Sequence, residues 1–254
     1  MNSLLSIKDL TVAVGDKGLV NQVSFDVPQG KIVAIAGGSG SGKTTIGLSI
    51  LRLIPSALRI RKGSIIFEGR DLLRISEKEM RNCRGARIGM VFQEPLSALD
   101  PLFTVGQQID EVLVVHTALS KEERLKKILD LFAEVELSDP SRAYKSFPHQ
   151  LSGGMRQRAM VAQAMVCGPS LIIADEPTSS LDVTLQVKIM ELFGRLKRKN
   201  MSILLIAHDL GMISHVADEV IILRQGDIVE KGEVAKVIGR PQHEYTKQLV
   251  EAFQ

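Results

Sequence analysis

Five side chains in this sequence have the types and settings to handle a phosphoryl group: Lys43, Gln93, Asp175, Glu176 and His208. Lys43 stands in "GGSGSGKTT", Gly37 to Thr45, where Gly37, Gly42, Lys43 and Thr44 satisfy G-x-x-x-x-G-K-[ST]. Glycines there let backbone N–H groups turn toward phosphate oxygens. Gly38, Ser39, Gly40, Ser41 and Thr45 complete the cradle. Lys43 adds charge for the β- and γ-phosphates, and the Thr44 hydroxyl can ligate Mg²⁺. The bland reading is a flexible turn with a surface lysine. An apolar run before the loop and a helical pattern after it set that reading aside.

The remaining four residues follow apolar runs. "LIIADEP" carries Asp175 to the end of a strand, where a carboxylate can hold the hydration shell of Mg²⁺. Glu176 comes next, placed to act as general base for an attacking water. An acidic pair capping a loop before Pro177 is the plainer alternative. Gln93 ends "IGMVFQ" and can reach Mg²⁺ or the water; His208 follows "ILLIA" and can contact a γ-phosphate. A histidine after a strand is more often structural, so its order in the chain gives it weight here.

These side chains need a scaffold that brings strand ends to one edge. "KIVAIAG", "IGMVFQ", "LIIADE", "ILLIAHD" and "VIIL" are short, continuous Ile/Val-rich runs. They read as strands buried on both faces of a parallel sheet, with helix-length segments between them. Such α/β sheets bind ligands beyond the carboxyl ends of their strands. "LLSIKDLTVAV" and "VNQVSFDV" alternate only partly around Gly15–Gly18 and suggest an antiparallel piece beside the main sheet. From about Pro95 to Gln150 the strand pattern stops. "KEERLKKILDLFAEV" places Leu125, Ile128, Leu129, Phe132 and Val135 at helical spacing. Ser120 with Glu123 has the form of a capping box. This stretch reads as an inserted helical subdomain.

Bulk properties exclude some classes. The 254 residues carry a net charge of +3, too slight for binding driven mainly by nucleic-acid phosphates. "RIRKG" and "RLKRK" are ordinarily solvated faces. Cys83 and Cys167 fit neither a metal spacing nor a disulfide framework. The opening "MNSLLSIKDLTV" lacks the layout of a signal peptide. Apolar runs fall far short of the ~20 residues that cross a bilayer. A chain soluble by itself is expected, with any membrane role coming through a partner.

A second anion-holding turn is the puzzle. "HQLSGGMRQR" opens a helix-like run with Ser152, Gly153 and Gly154, 110 residues beyond Gly42. The order of phosphate loop, Gln93, "LSGGMRQR", "LIIADEP", "SSLD" and His208 resembles the ATP-binding subunits of ABC transporters over essentially the whole chain. "FQEPLSALDPLFTVGQQI", "PHQLSGGMRQR" and "HEYTKQLV" resemble its oligopeptide, dipeptide and nickel importers of bacteria and archaea.

The resemblance implies a single ABC ATPase domain over residues 1–254. Residues 1–94 and 168–254 would form the α/β P-loop core, with a mostly parallel sheet and the antiparallel piece. Residues 95–167 would form the helical signature subdomain. ATP and Mg²⁺ would be the cofactors, Thr44, Gln93 and Asp175 serving the metal, the last through water. Glu176, His208, Lys43 and Gln93 would be catalytic. Ser152, Gly153 and Gly154 would contact ATP bound to a second homologous ATPase subunit, most naturally in a heterodimer, and Asp182 would lie at that interface. Gln93 and "EPLSALDP" would join two integral membrane permease subunits, fed by an extracytoplasmic substrate-binding protein. The setting would be peripheral, on the cytoplasmic face of the membrane, with no nucleic acid.

Departures from the pattern concern three places. Met155 stands where the general family has Gln, as in many importers. Val14 or its neighbour stands where an aromatic usually stacks on adenine, leaving only an apolar contact. The chain ends at Gln254 without the cysteine-bearing tail common in peptide importers, a length more like nickel-type subunits. A non-transport relative serving DNA repair or translation is the alternative; it would ordinarily show coiled coils, zinc modules or duplication, which are absent here. A GTP switch would need an Asn-Lys-x-Asp reader, and none occurs.

Overall fold

The computed structural model describes residues 3–179 and 181–252, so Ser180 of "SSLD" lies outside the described residues. In chain order the elements are β1 (Ser3–Val14), β2 (Lys17–Pro28), β3 (Ile32–Ala36), α1 (Lys43–Ile50), β4 (Leu58–Phe67), β5 (Arg70–Asp71), α2 (Glu77–Cys83) and β6 (Ile88–Val91). Then come α3 (Pro95–Ala98), α4 (Val105–His116), α5 (Lys121–Glu134), α6 (Pro140–Lys145), a 3-10 turn (Pro148–Gln150), α7 (Gly153–Met165), β7 (Leu171–Asp175) and α8 (Val183–Arg198). The chain closes with β8 (Ser202–Ile206), α9 (Leu210–Val216), β9 (Glu219–Arg224), β10 (Asp227–Glu233), α10 (Val234–Gly239) and α11 (Glu244–Glu251). One compact unit takes the chain up to Met80 and from Phe193 onward; the other is Arg81–Leu192.

The first unit holds an antiparallel sheet of order β2-β1-β4-β5. Leu5, Ile7, Leu10 and Val12 of β1 are buried and pair with Val27, Phe25, Val23 and Val20. The register slips between Ile7 and Leu10. Asp9 sits there at φ 48°, its N–H donating to Ser24 Oγ at 2.8 Å. This bulge is the physical reason the sequence alternates only partly. "RIRKG" belongs to β4, with Arg59, Arg61 and Lys62 exposed.

The same unit carries a second sheet, in which β3 lies between β8 and β9, parallel to both, and β10 pairs antiparallel with β9. Every residue of β3 and β8 is buried, as continuous apolar runs require. Asp218, just before β9, ties this layer together. Its carboxylate accepts from the Ile32 N–H at 2.9 Å, from Lys31 Nζ at 3.1 Å and from Lys197 Nζ at 2.8 Å. Lys197 of "RLKRK" is therefore an ion-pair partner rather than a purely solvated charge. Burial by itself pushes the Asp218 carboxyl up, but donation from Lys197, Ile32 and Lys31 outweighs it and holds the group below the ordinary value. The stability it contributes is complete above the unfolded value of about 3.9 and is lost as pH falls through the lower, folded value. Thermal melts across that acid range should fall more steeply for the wild-type chain than for Asp218→Asn; parallel curves would remove Asp218 from the acid response.

In the second unit β6 and β7 run parallel, from Ile88↔Leu171 to Val91↔Ala174. The segment between β6 and α7 is helical, as the loss of strand pattern predicts. Ser120 caps α5, accepting from the Glu123 N–H at 3.3 Å while its own N–H donates to Glu123 Oε2 at 2.7 Å. That donation holds the Glu123 carboxyl below its usual range. Ile128, Phe132 and Val135 are fully buried, but Leu125 is 39% exposed and stands at the rim of the apolar stripe. Thr104 with Gln107 forms an equivalent capping box on α4. Among the described residues no helix is long and apolar enough to cross a membrane.

Candidate functional site

In the first unit the residues Gly37–Thr45 join β3 to α1 as a tight turn. Gly37, Gly40 and Gly42 have φ of 155°, 74° and 103°. Two of them are held against backbone. A Cβ on Gly37 would stand 2.1 Å from the Leu223 carbonyl oxygen, and one on Gly42 would stand 2.7 Å from that of Leu19. Glycine is required at both for close approach as well as for conformation. Lys43 is only 5% exposed, and its Nζ donates to the Gly37 and Gly38 carbonyls at 2.9 Å each. The Gly226 N–H donates to the Ser41 carbonyl at 3.0 Å, so the β9–β10 turn braces the loop. Thr44 is exposed in the first turn of α1, and Ser39 and Gly40 are exposed at the loop's crest.

Sheet register sets what stands beside this loop. Ile35 pairs with Ile206, so the chain leaves β3 into Gly37 at the edge where β8 leads to His208. His208 is exposed there, and Asp209 behind it caps α9 by accepting from the Met212 N–H at 3.0 Å.

The second unit repeats the device. Val91 pairs with Ala174, so Gln93 and Glu176 leave β6 and β7 at one edge. Gln93 Nε2 donates to Glu176 Oε2 at 3.0 Å. Asp175 is 3% exposed at the end of β7. Glu176 adopts φ 42°, in the left-handed region that non-glycine residues visit uncommonly.

Ser152 caps α7, its Oγ accepting from the Met155 N–H at 3.3 Å. Ser152 and Gly153 are exposed, and a Cβ on Gly153 would meet nothing nearer than Leu181 Cδ2 at 3.9 Å. Among the described residues, packing does not demand glycine at 153. Gly154 is different, because a Cβ there would stand 2.9 Å from Leu185 Cδ1. Asp182 is exposed and caps α8 by accepting from the Leu185 N–H at 3.0 Å. Val14 ends β1 with 37% exposure.

One neighbour of the glycine loop was not legible in the sequence. Tyr245 of α11 accepts from the Gly38 N–H through its Oη at 2.8 Å, across 207 positions of sequence. Only the motif "HEYTKQLV" marked this tail at all, and nothing in it pointed to the loop.

A strand, a glycine turn and a buried lysine opening a helix make up the anion-cradling arrangement of P-loop proteins. The model of the ABC transporter family matches residues 20–179. The dipeptide transport ATP-binding protein DppD of Bacillus subtilis is 44% identical, the alignment covering 98% of this chain and 76% of that protein. The oligopeptide transport ATP-binding protein OppD of Bacillus subtilis is also 44% identical, over 96% of this chain and 70% of that protein. Among solved structures, a dimeric ATP-binding cassette in a post-hydrolysis state, bound to ADP and Pi, superposes with a TM-score of 0.80. It is 28% identical, covering 91% of this chain and 98% of that one. The chain belongs to the ABC transporter family, in its branch of dipeptide and oligopeptide transport ATP-binding proteins.

Proposed function

We propose that this chain is the ATP-binding and ATP-hydrolysing subunit of a peptide importer. The observation that carries the proposal is the buried Lys43 ammonium, held at a helix start inside a turn of positive-φ glycines. In this reading Gly37–Thr45 bind the phosphates of ATP, and Glu176, oriented by Gln93, takes a proton from the attacking water. Lys43 stabilises charge on the transferred phosphoryl group, and His208 holds the γ-phosphate. Thr44, Gln93 and Asp175 supply hard oxygen donors of the kind Mg²⁺ prefers, Asp175 acting through water. The metal, when bound, neutralises charge on the β- and γ-phosphates. Residues 95–167 serve as the helical signature subdomain of one ATPase domain.

The chain works as half of a pair. Ser152, Gly153 and Gly154 close on ATP held by a second homologous subunit, and Asp182 lies at that junction. The exposure of Gly153 supports this, because a glycine that no described neighbour requires fits a close approach from outside. Exposed apolar side chains after β6 support a joint to two membrane permeases: Leu96 is 58% exposed and Leu102 is 79% exposed. The protein then lies peripherally on the cytoplasmic face of the membrane, and an extracytoplasmic binding protein delivers cargo. The dipeptide and oligopeptide relatives favour peptide over nickel.

The test is reconstitution with the second ATPase subunit and the permeases. Peptide-loaded binding protein should stimulate ATP hydrolysis; stimulation by a nickel-loaded protein instead would reassign the cargo. Gly153→Asp should bind ATP in its own loop yet lower turnover of the complex by about 10²-fold. Unimpaired turnover would sink the in-trans assignment.

A further inference from the structure

The start of α11 is fixed from several directions. Glu230 Oε1 accepts from the Gln242 N–H at 2.9 Å and Glu230 Oε2 from the His243 N–H at 3.0 Å. His243 Nδ1 accepts from the Tyr245 N–H at 3.1 Å. The Tyr245 ring lies beneath the Arg224 guanidinium, 5.0 Å from its centroid. Ring and backbone so held, the hydroxyl reaches the phosphate loop and accepts from the Gly38 N–H at 2.8 Å.

The peptide unit joining Gly37 to Gly38 is planar, so its two ends turn together. One end is the N–H held by Tyr245. The other is the Gly37 carbonyl, which accepts from Lys43 Nζ at 2.9 Å. Both flanking residues are glycines and oppose rotation of the unit only weakly. A Cβ on Gly38 would lie 3.1 Å from the Tyr245 hydroxyl, so that oxygen occupies the space a side chain would take.

We propose that Tyr245 is a positioning residue for the phosphate loop: its hydroxyl fixes the Gly37–Gly38 peptide and, through it, the resting place of the Lys43 ammonium. The inference rests on the reading of Gly37–Thr45 as an ATP phosphate loop. Removing the hydroxyl sends the Gly38 N–H to water and frees the peptide to turn. A triphosphate must then reorder the loop as it binds, and affinity falls by the lost preorganisation.

The experiment compares the full chain with Tyr245→Phe, which keeps the ring on Arg224. Binding of ATP and of inorganic tripolyphosphate is measured at equilibrium, with the nucleotide-free melting temperature and hydrogen exchange over residues 37–43. The variant should bind both ligands about three- to tenfold more weakly. Exchange at Gly38 should quicken, and the melting temperature should stay within about 2 °C. Wild-type affinity in the variant overturns the inference alone. So does a loss seen with ATP but not with tripolyphosphate, or a loss that merely tracks a fall in melting temperature. Failure of the wild-type chain to bind ATP overturns the phosphate-loop reading and this inference together.

Discussion

Glu176→Gln should lower steady-state ATP hydrolysis by about 10²- to 10⁴-fold, the contribution of a general base, while leaving ATP affinity nearly unchanged. The side chain keeps its length and still presents an oxygen toward Gln93 Nε2, which donates to Glu176 Oε2 at 3.0 Å in the wild-type chain. Only proton acceptance is lost. If the chain pairs with a second ATPase subunit as proposed, ATP that binds and is no longer consumed should hold the two together, visible as an ATP-dependent dimer on gel filtration. A variant with full turnover would end the base assignment. One that loses ATP affinity in step with turnover would mean that Glu176 serves binding instead.

The second large effect concerns stability and the loop at once. Gly37→Ala puts a methyl group where the Leu223 carbonyl oxygen lies 2.1 Å away, at a φ of 155° that side chains rarely adopt. Backbone cannot yield as a side-chain tip does. Strain and overpacking together should destabilise the chain by on the order of 3–5 kcal/mol. For a protein of this size that is a fall of about 10 °C in melting temperature, with loss of ATP binding. Gly40→Ala is the control. Its φ is 74°, but none of the described residues lies within 4 Å of the added Cβ. It should lose only about 1–2 kcal/mol from backbone strain. Equal losses at the two positions would show that close approach to β9 is not what constrains Gly37.

Much of this was legible in the sequence, for identifiable reasons. β3, β6, β7, β8 and β9 bury most of their residues, so their continuous apolar runs stand out. Local chemistry was equally plain: the capping box of Ser120 and Glu123 needs only residues three apart. The pattern Thr104-x-x-Gln107 carried the same signal on α4 and was open to the same reading. β4 escaped notice because its first half faces solvent and reads as a charge run. The bulge at Asp9 depends on a partner strand, and Gly63 on that strand has φ 102° with the Leu10 Cα 2.7 Å from its missing Cβ. The contact between Tyr245 and Gly38 joins the tail to the loop through folding alone. No spacing rule reaches across such a distance.

The placement of β3 has a consequence for how the chain is made. Its two neighbours, β8 and β9, both come from the far end of the sequence, and Arg224 at the end of β9 lies 188 residues beyond Ala36. At about 5–20 residues per second, synthesis leaves the segment Ile32–Ala36 without its second partner for on the order of 10–40 s. Meanwhile β1, β2 and β4 can pair, being close in sequence. The strand that leads into Gly37–Thr45 is thus a nascent-chain liability: five apolar residues with both edges open until β8 emerges and one edge open until β9 follows. Early release of the chain, or a stall before β8, would expose that strand to its like on neighbouring ribosomes.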